Sequence, residues 1–278
     1  MESIRLETVG LKPTNTRSID LKTTIIVDSD TIAVQIGAAV QVPIKWSDGV
    51  YSLYADGNEA WEQTKTNISE LQASIASLLG VKIEDTNLIL AFSDPRRMYF
   101  RHKLLPTYKA NRQKRDGPML VAFLKKKMAE KYKTYCIKDL EADDILGILA
   151  TDEYFIQNDC VMVSVDKDLR TVPGKHYNPN KPEEGIIHIN EFLADAYHLT
   201  QTLVGDTTDG YKGCPGIGPV SASKIDLQGD RAWSNVVAAF KKAGQTEEEA
   251  LVQARVAKIL QADNYNFETK EITLWNPK

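Results

Sequence analysis

Three short apolar runs stand out from a mixed background: TTIIV (23–27), NLILAF (87–92) and CVMVSV (160–165). Each is short and apolar, so each reads as a buried strand. Between them apolar positions recur at helical spacing, in ISELQASIASLL (68–79) and MLVAFLKKKMAEKY (119–132). The order β, α, β, α, α, β predicts an α/β fold with a mostly parallel central sheet covered by helices. After residue 198 the strand signal gives way to short helices and glycine turns. Thr246 to Glu249 matches a capping box opening a helix that runs to about Ala262, and FETKEITLW (267–275) alternates like a short strand. Residues 1–22 lack strong periodicity and are expected to be a loosely packed extension. The expected organisation is thus an extension (1–22), a core domain (23–198) and a C-terminal subdomain (199–278).

Each predicted strand ends at or near an aspartate: Asp28, Asp94 and Asp166. Ligand sites in parallel sheets lie beyond the carboxyl ends of the strands, so the three would meet at one edge. Any one of them alone could be a turn or N-cap residue.

Composition adds little until it is divided along the chain. The 278 residues are 42% hydrophobic and 26% charged, ordinary for a globular protein, with a net charge of −4. Residues 96–133 hold thirteen Lys or Arg against Asp116 and Glu130, so that segment is +11 and the remainder −15. Concentrated basic charge on an acidic chain suggests a polyanionic partner, because Lys and Arg displace counterions condensed on a phosphate backbone. The run Lys125 to Lys127 is also explained by a solvated helix face. YKANR differs, because Phe100 and Tyr108 interleave with the cations as rings that could stack on bases. The polar N-terminus and the lack of a long apolar run predict a cytoplasmic protein with no membrane segment. Cys136, Cys160 and Cys214 lack metal-site or disulfide spacing and are expected to be free thiols.

More acids gather in tight groups. EADDILGILA places Glu141, Asp143 and Asp144 at the start of an apolar helix, where capping explains one of them but does not need three. Asp166 and Asp168 in VDKD are two apart, and Asp206 and Asp209 in GDTTDG are three apart. Two carboxylates about 4 Å apart repel by roughly 4 kcal/mol at an effective dielectric near 20. Nine of them in one cleft would need cations. No His or Cys joins these groups, so the donors are hard oxygens suited to Mg²⁺ or Mn²⁺, and their number fits two ions better than one.

The motifs FSDPRRMYFRHKLLPTYKANR (92–112), EADD (141–144), VSVDKD (163–168) and GDTTDGYKGCPGIGPVSASKI (205–225), in that order, carry a specific resemblance. The chain resembles the structure-specific 5′-nuclease superfamily of flap endonucleases and 5′→3′ exonucleases over roughly residues 23–226. The short chain, the GDTTDGY variant and the tail look most similar to exonucleases of tailed bacteriophages. The resemblance implies a PIN-like core and a helix-hairpin-helix subdomain. It implies two Mg²⁺ ions, with Mn²⁺ able to substitute: one at Asp28, Asp94, Glu141, Asp143 and Asp144, the other at Asp166, Asp168, Asp206 and Asp209. It places Lys109 and Arg112 at the scissile phosphate, with Arg101 just upstream, and makes Tyr108 a stacking candidate. Lys114, Arg115, Gly213, Gly216, Gly218 and Lys224 become DNA-binding candidates, with K⁺ held at the hairpin in some members. The implied substrates are duplex DNA with 5′ ends, nicks or flaps, and RNA–DNA hybrids, cut by a monomer in phage replication, recombination or host-DNA degradation.

The sequence also departs from the family. Only 28 residues separate Arg112 from Glu141, and Gly117-Pro118 interrupts them, which is short for a threading arch. Asp30 is an additional acid, and Gly210-Tyr211-Lys212 replaces the usual Asn-Ile-Pro. Two other readings stand beside this one. IIVDSDT resembles the DxDxT of haloacid-dehalogenase-type phosphatases, with Asp28 as nucleophile and Asp30 as acid, and a noncatalytic DNA-binding protein would use the basic segment and the hairpin without cutting.

Overall fold

The computed structural model describes residues 22–111, 117–153, 155 and 159–277. The expected extension, apart from Lys22, and the candidates Arg112, Lys114 and Arg115 lie outside them.

The first predicted strand is β1 (Thr23–Asp28), followed by α1 (Ser29–Ala39), a hairpin of β2 (Val42–Lys45) and β3 (Tyr51–Tyr54), and the long α2 (Gly57–Leu79). The second is β4 (Thr86–Phe92), followed by α3 (Arg101–Leu104), α4 (Val121–Lys131), β5 (Lys133–Cys136) and α5 (Ala142–Ala150). The third is β6 (Cys160–Val163), trailed by β7 (Gly174–Tyr177) and β8 (Ile186–Ile189). Then come α6 (Glu191–Val204), α7 (Pro219–Ala222), α8 (Ala232–Lys242) and α9 (Glu247–Ala257). None of the helices among the described residues is long and apolar enough to cross a membrane.

The main sheet runs β5-β4-β1-β6-β7-β8, parallel except for β8, which pairs antiparallel with β7. The chain leaves β1 toward β4 on one side and β6 on the other, so the strand order reverses at β1. In this class of sheet, that reversal opens a crevice at the carboxyl ends of the flanking strands. Asp28 pairs in register with Ala91, and Val27 with Val163, so the ends of β1, β4 and β6 are level.

Alternation along β1 divides the core between two faces. Ile26, Ile89 and Met162 face α5, whose Ile145, Leu146, Ile148 and Leu149 are all buried. Ile25, Val27, Leu90 and Val161 face the layer built from α1, α2 and α4. An apolar helix such as α5 is stable only when buried nearly all round. That burial carries its acidic first turn to the sheet edge. A third cluster, with Leu199, Leu203, Val236, Phe240 and Ala250, joins α6, α8 and α9.

Two expectations about the C-terminus need correction. The helix opened by the Thr246–Glu249 capping box ends at Ala257, because Lys258 is already extended. There Arg101 takes the Val256 and Lys258 carbonyls, and Asp144 accepts from Leu260 N–H at 3.1 Å. The FETKEITLW tail forms an isolated bridge, Tyr265 to Ile272, rather than a strand. Ile272 and Leu274 still pack on the α5 side of the core. Gly147 shows how close this segment lies, since an added Cβ would collide with the Leu260 carbonyl oxygen and stand 2.9 Å from Ile259 Cγ2.

Candidate active site

Asp28 closes β1 and caps α1, accepting from Asp30 N–H at 3.2 Å and Thr31 Oγ1 at 3.0 Å. Burial, reinforced by the nearby Asp30 carboxylate, pushes its pKa up to about 6. Asp30 ties the start of α1 to its surroundings. It accepts from Ser93 N–H at 3.1 Å and pairs with Lys125 at 2.6 Å. Lys125 is therefore not merely part of a solvated helix face, and the acid of the phosphatase reading is held in an ion pair.

Glu141 and Asp144 form the capping box of α5 and divide the work between them. Asp144 is fully buried and satisfied. Arg101 grips it with two prongs, Nη1–Oδ2 at 2.6 Å and Nη2–Oδ1 at 2.7 Å, while Glu141 N–H and Leu260 N–H also donate to it. Arg101 Nη1 reaches Glu141 at 3.1 Å as well. With 3% of its surface exposed, Arg101 is turned away from any phosphate. Its expected place near the scissile phosphate is corrected to a lock between α5 and the chain after α9, because five donors on one buried guanidinium all find protein acceptors.

Asp143 points the other way. Its Oδ1 is buried and has no hydrogen-bond partner. Burial, followed by the charges of Asp28, Asp166 and Glu141, drives its pKa well above the carboxylate range. Among groups this close, protonation or a cation must relieve the repulsion.

Asp94 is 3% exposed and held by its own loop. Burial pushes its pKa up, but hydrogen bonds from Arg96 and from Asp139 N–H, the latter at 2.8 Å, outweigh that and hold it below the ordinary value. Any cation bound by Asp94 must share it with Arg96.

On the β6 side, Asp166 caps a short turn by accepting from Asp168 N–H at 2.8 Å. Asp168 accepts from Gln201 Nε2 at 2.6 Å. Burial and the charges of Asp166, Asp206 and Asp209 raise the Asp168 pKa to about 7. Asp206 Oδ1 receives the N–H groups of Thr208 and Asp209 at 2.6 and 3.1 Å, which folds GDTTDG into a tight turn.

That turn is closed by two glycines in contact. Gly205 and Gly213 both have positive φ, and a Cβ on either would strike the backbone of the other arm. Gly213 N–H goes to Gln253 Oε1 at 2.9 Å. The expectation that Gly213 approaches DNA is corrected: its face is taken up inside the protein. Gly216 and Gly218 differ, with no atom within 4 Å of an added Cβ, and Lys224 is exposed.

Tyr108 and Lys109 bridge the two sides. The Tyr108 hydroxyl lies 2.8 Å from Glu141 Oε2 and 3.0 Å from Asp209 Oδ2. Lys109 Nζ pairs with Glu141 and lies 3.4 Å from Asp209 Oδ2. Its backbone N–H donates to the Asp209 carbonyl at 2.7 Å. Lys109 has φ 54°, a conformation uncommon for a side-chain-bearing residue and found preferentially at functional sites. Tyr108 is only 3% exposed, so its ring is not available for stacking as expected. Its hydroxyl orients carboxylates instead.

The donor set suits a hard divalent cation: oxygens only, one of them buried without a partner, with burial and then mutual repulsion raising the pKa values of Asp28, Asp143 and Asp168. Among the described residues, however, no three acidic, His or Cys side chains are gathered tightly enough to hold an ion as they stand. Lys109 and Arg96 supply the positive charge instead. Sequence reasoning missed Gln201, Gln253, Arg96 and Asp139. Their partners are far away in the chain or lie in irregular loops, so no local pattern marks them.

Carboxylates crowded at the switch point of a parallel sheet, beside a strongly basic segment, define a nuclease-like α/β protein. The chain belongs to the 5′-3′ exonuclease family: the family's N-terminal, resolvase-like domain matches residues 49–192. It is 28% identical to an exodeoxyribonuclease of Enterobacteria phage T3, over 93% of this chain and 94% of the relative. It is also 28% identical to an exonuclease of Escherichia phage T7, over 93% and 95% of the two chains. Its fold resembles the phage T5 D15 protein crystallised with metal ions, with a TM-score of 0.61 at 13% identity, over 86% of this chain and 90% of that one. The phosphatase reading falls with that family membership.

Proposed function

We propose that the protein is a divalent-metal-dependent nuclease that hydrolyses duplex DNA in the 5′→3′ direction from ends or nicks, and also cuts flaps and RNA–DNA hybrids. The observation that carries this reading is the unpartnered Asp143 Oδ1, set among Asp28, Glu141 and Asp166 beside a +11 segment. The phage relatives named as exonucleases support the same reaction. A phage T5 flap endonuclease of similar fold, with a TM-score of 0.51, was crystallised with DNA and metal ions, which supports the substrate and the cofactor.

Asp28, Asp143 and Glu141 would hold one ion, with Asp94, shared with Arg96, contributing. Asp166, Asp168, Asp206 and Asp209 would hold the second. Mg²⁺ suits the all-oxygen donors, and Mn²⁺ can substitute. When bound, such ions polarise the phosphodiester and lower the pKa of water for attack. The protein's own groups do the rest. Tyr108 orients Glu141 and Asp209, Gln201 orients Asp168, and Lys109 and Arg112 would contact the phosphate. Asp144 and Arg101 hold the frame rather than the ion.

Gly216 and Gly218, with open space around them, and the exposed Lys224 would contact duplex backbone, where K⁺ could also sit. Lys114 and Arg115, from the basic segment 96–133, would add further phosphate contacts. A monomer working on replicating, recombining or host DNA completes the reading. The test offers 5′-labelled blunt, nicked and flapped duplexes and an RNA–DNA hybrid, with Mg²⁺ or with chelator. Mg²⁺-dependent release of 5′ products is expected, and no release from any substrate would overturn the enzyme reading.

A further inference from the structure

The sequence departure at Gly210-Tyr211 falls where the turn carrying Asp206 and Asp209 meets the loop carrying Tyr108 and Lys109. On the turn, Gly210 N–H and Tyr211 N–H both donate to the Asp206 carbonyl, at 2.9 and 3.1 Å, and Asp206 N–H donates back to the Tyr211 carbonyl at 2.9 Å. On the loop, Ala110 N–H donates to the Thr107 carbonyl at 3.1 Å, with Lys109 at φ 54° inside the bend.

Three hydrogen bonds join the two pieces. Lys109 N–H donates to the Asp209 carbonyl at 2.7 Å, the Asn111 side-chain amide donates to the Thr207 carbonyl, and the Tyr108 hydroxyl donates to Asp209 Oδ2 at 3.0 Å. Gly210 permits the close fit. It has φ 77°, and a Cβ there would stand 3.0 Å from the Thr107 carbonyl oxygen and 3.4 Å from Lys109 N. Tyr211 backs the joint, buried in a cluster with Tyr108, Val256 and Ala257. Lys109 holds a backbone conformation uncommon for a residue with a side chain, and the turn binds the N–H of that same residue. Asn111 fastens the loop one residue before Arg112.

We propose that Asn111 and Gly210 are positioning residues: they dock the loop of Lys109 on the turn of Asp206 and Asp209, so that a divalent ion on the turn and a phosphate on Lys109 favour each other's binding. The inference rests on the nuclease reading and deepens it. Neither residue carries a charge, so the effect passes through the backbone they hold. An ion that fixes the turn also fixes the loop, and by linkage DNA must tighten the ion by the same factor.

The experiment measures the affinity of a fluorescent blunt duplex by anisotropy, in chelator and with saturating Ca²⁺, which takes hard oxygen ligands as Mg²⁺ does. Duplex integrity is checked on a gel. The parent is compared with Asn111→Ala, Asn111→Leu and Gly210→Ala. In the parent, Ca²⁺ should tighten duplex binding by about five-fold or more, and in each variant the factor should fall to about two-fold or less. The remainder is the direct attraction between bound cation and phosphate, which no substitution here alters. Tm should stay near the parent's in the Asn111 variants, because that side chain is exposed. Calorimetric Ca²⁺ titrations with and without saturating duplex should return the same factors, a reciprocity that a merely weakened fold would not produce. A parent without coupling, or Asn111 variants that keep the parent's factor, would overturn the proposal; Mg²⁺-dependent cleavage by that parent would leave the nuclease reading standing. Gly210→Ala with the parent's factor would overturn the part given to Gly210. Coupling that depends on Asn111 in a parent that cuts no duplex would overturn the nuclease reading instead.

Discussion

Arg101 and Asp144 meet in a two-pronged ion pair at 2.6 and 2.7 Å, with both side chains closed off from solvent. The same guanidinium holds the Val256 and Lys258 carbonyls, so one residue fastens α5 to the chain after α9. Breaking a buried ion pair by removing one partner costs about 3–5 kcal/mol, since the other charge is left uncompensated. Arg101→Ala should lower stability by about that much in urea unfolding. Arg101→Lys should recover only part of it, because an ammonium cannot supply the fork.

Gly205→Ala should damage the site without unfolding the core. The added Cβ would press on the Lys212–Gly213 backbone, and φ of 73° is unfavourable for alanine. Residues forced into such conformations cost of order 1–3 kcal/mol. The turn carrying Asp206 and Asp209 would have to shift. Loss of cleavage with retained circular dichroism is the expected result.

Asp166→Ala should abolish cleavage and leave much of the DNA binding in place, because Asp166 is an exposed carboxylate at the strand end and supports no core contact. Activity equal to the parent's would remove it from the metal set. Lys109→Ala and Arg112→Ala should cut more slowly and flatten the salt dependence of duplex binding, by about 0.9 in slope per lost phosphate contact.

Acidity and cations should compensate for one another. Asp28 and Asp168 have folded-state pKa values raised to about 6 and about 7, from an ordinary 3.8. A raised folded pKa means the folded state binds more protons, so the stability contributed is fully present below pH 3.8 and is lost as pH rises through 6 to 7. The Tm of metal-free protein should include a decline across that window. Saturating Mg²⁺ should raise Tm most above pH 7 and little near pH 5. Asp168→Asn should reduce both the decline and the Mg²⁺ gain.

How much of this was legible beforehand depends on the range of the interaction. The runs 23–27 and 87–92 and most of 160–165 became β1, β4 and β6, because a continuous apolar segment of that length fits a strand buried on both faces. The hairpin of β2 and β3 was not foreseen. Its signal was present but passed over: Val42, Ile44 and Trp46 alternate with Pro43 and Lys45, and Asp48-Gly49 marks the turn, although all residues of both strands are exposed. Strands β5, β7 and β8 are four residues each, too short for alternation to declare itself.

The sequence by itself determined the class of fold and the family, because strand periodicity and motif order are local properties of the chain. Only the tertiary structure decided which acid does what. Asp143 and Asp144 are neighbours in sequence, one turned toward Asp28 and Asp166 with an oxygen unpartnered, the other sealed against Arg101. In the same way Arg101 and Lys109 belong to one basic segment, yet one is a buried lock and the other bridges Glu141 and Asp209. Orientation on a helix and the partners brought by distant segments set those roles, and composition and spacing carry neither.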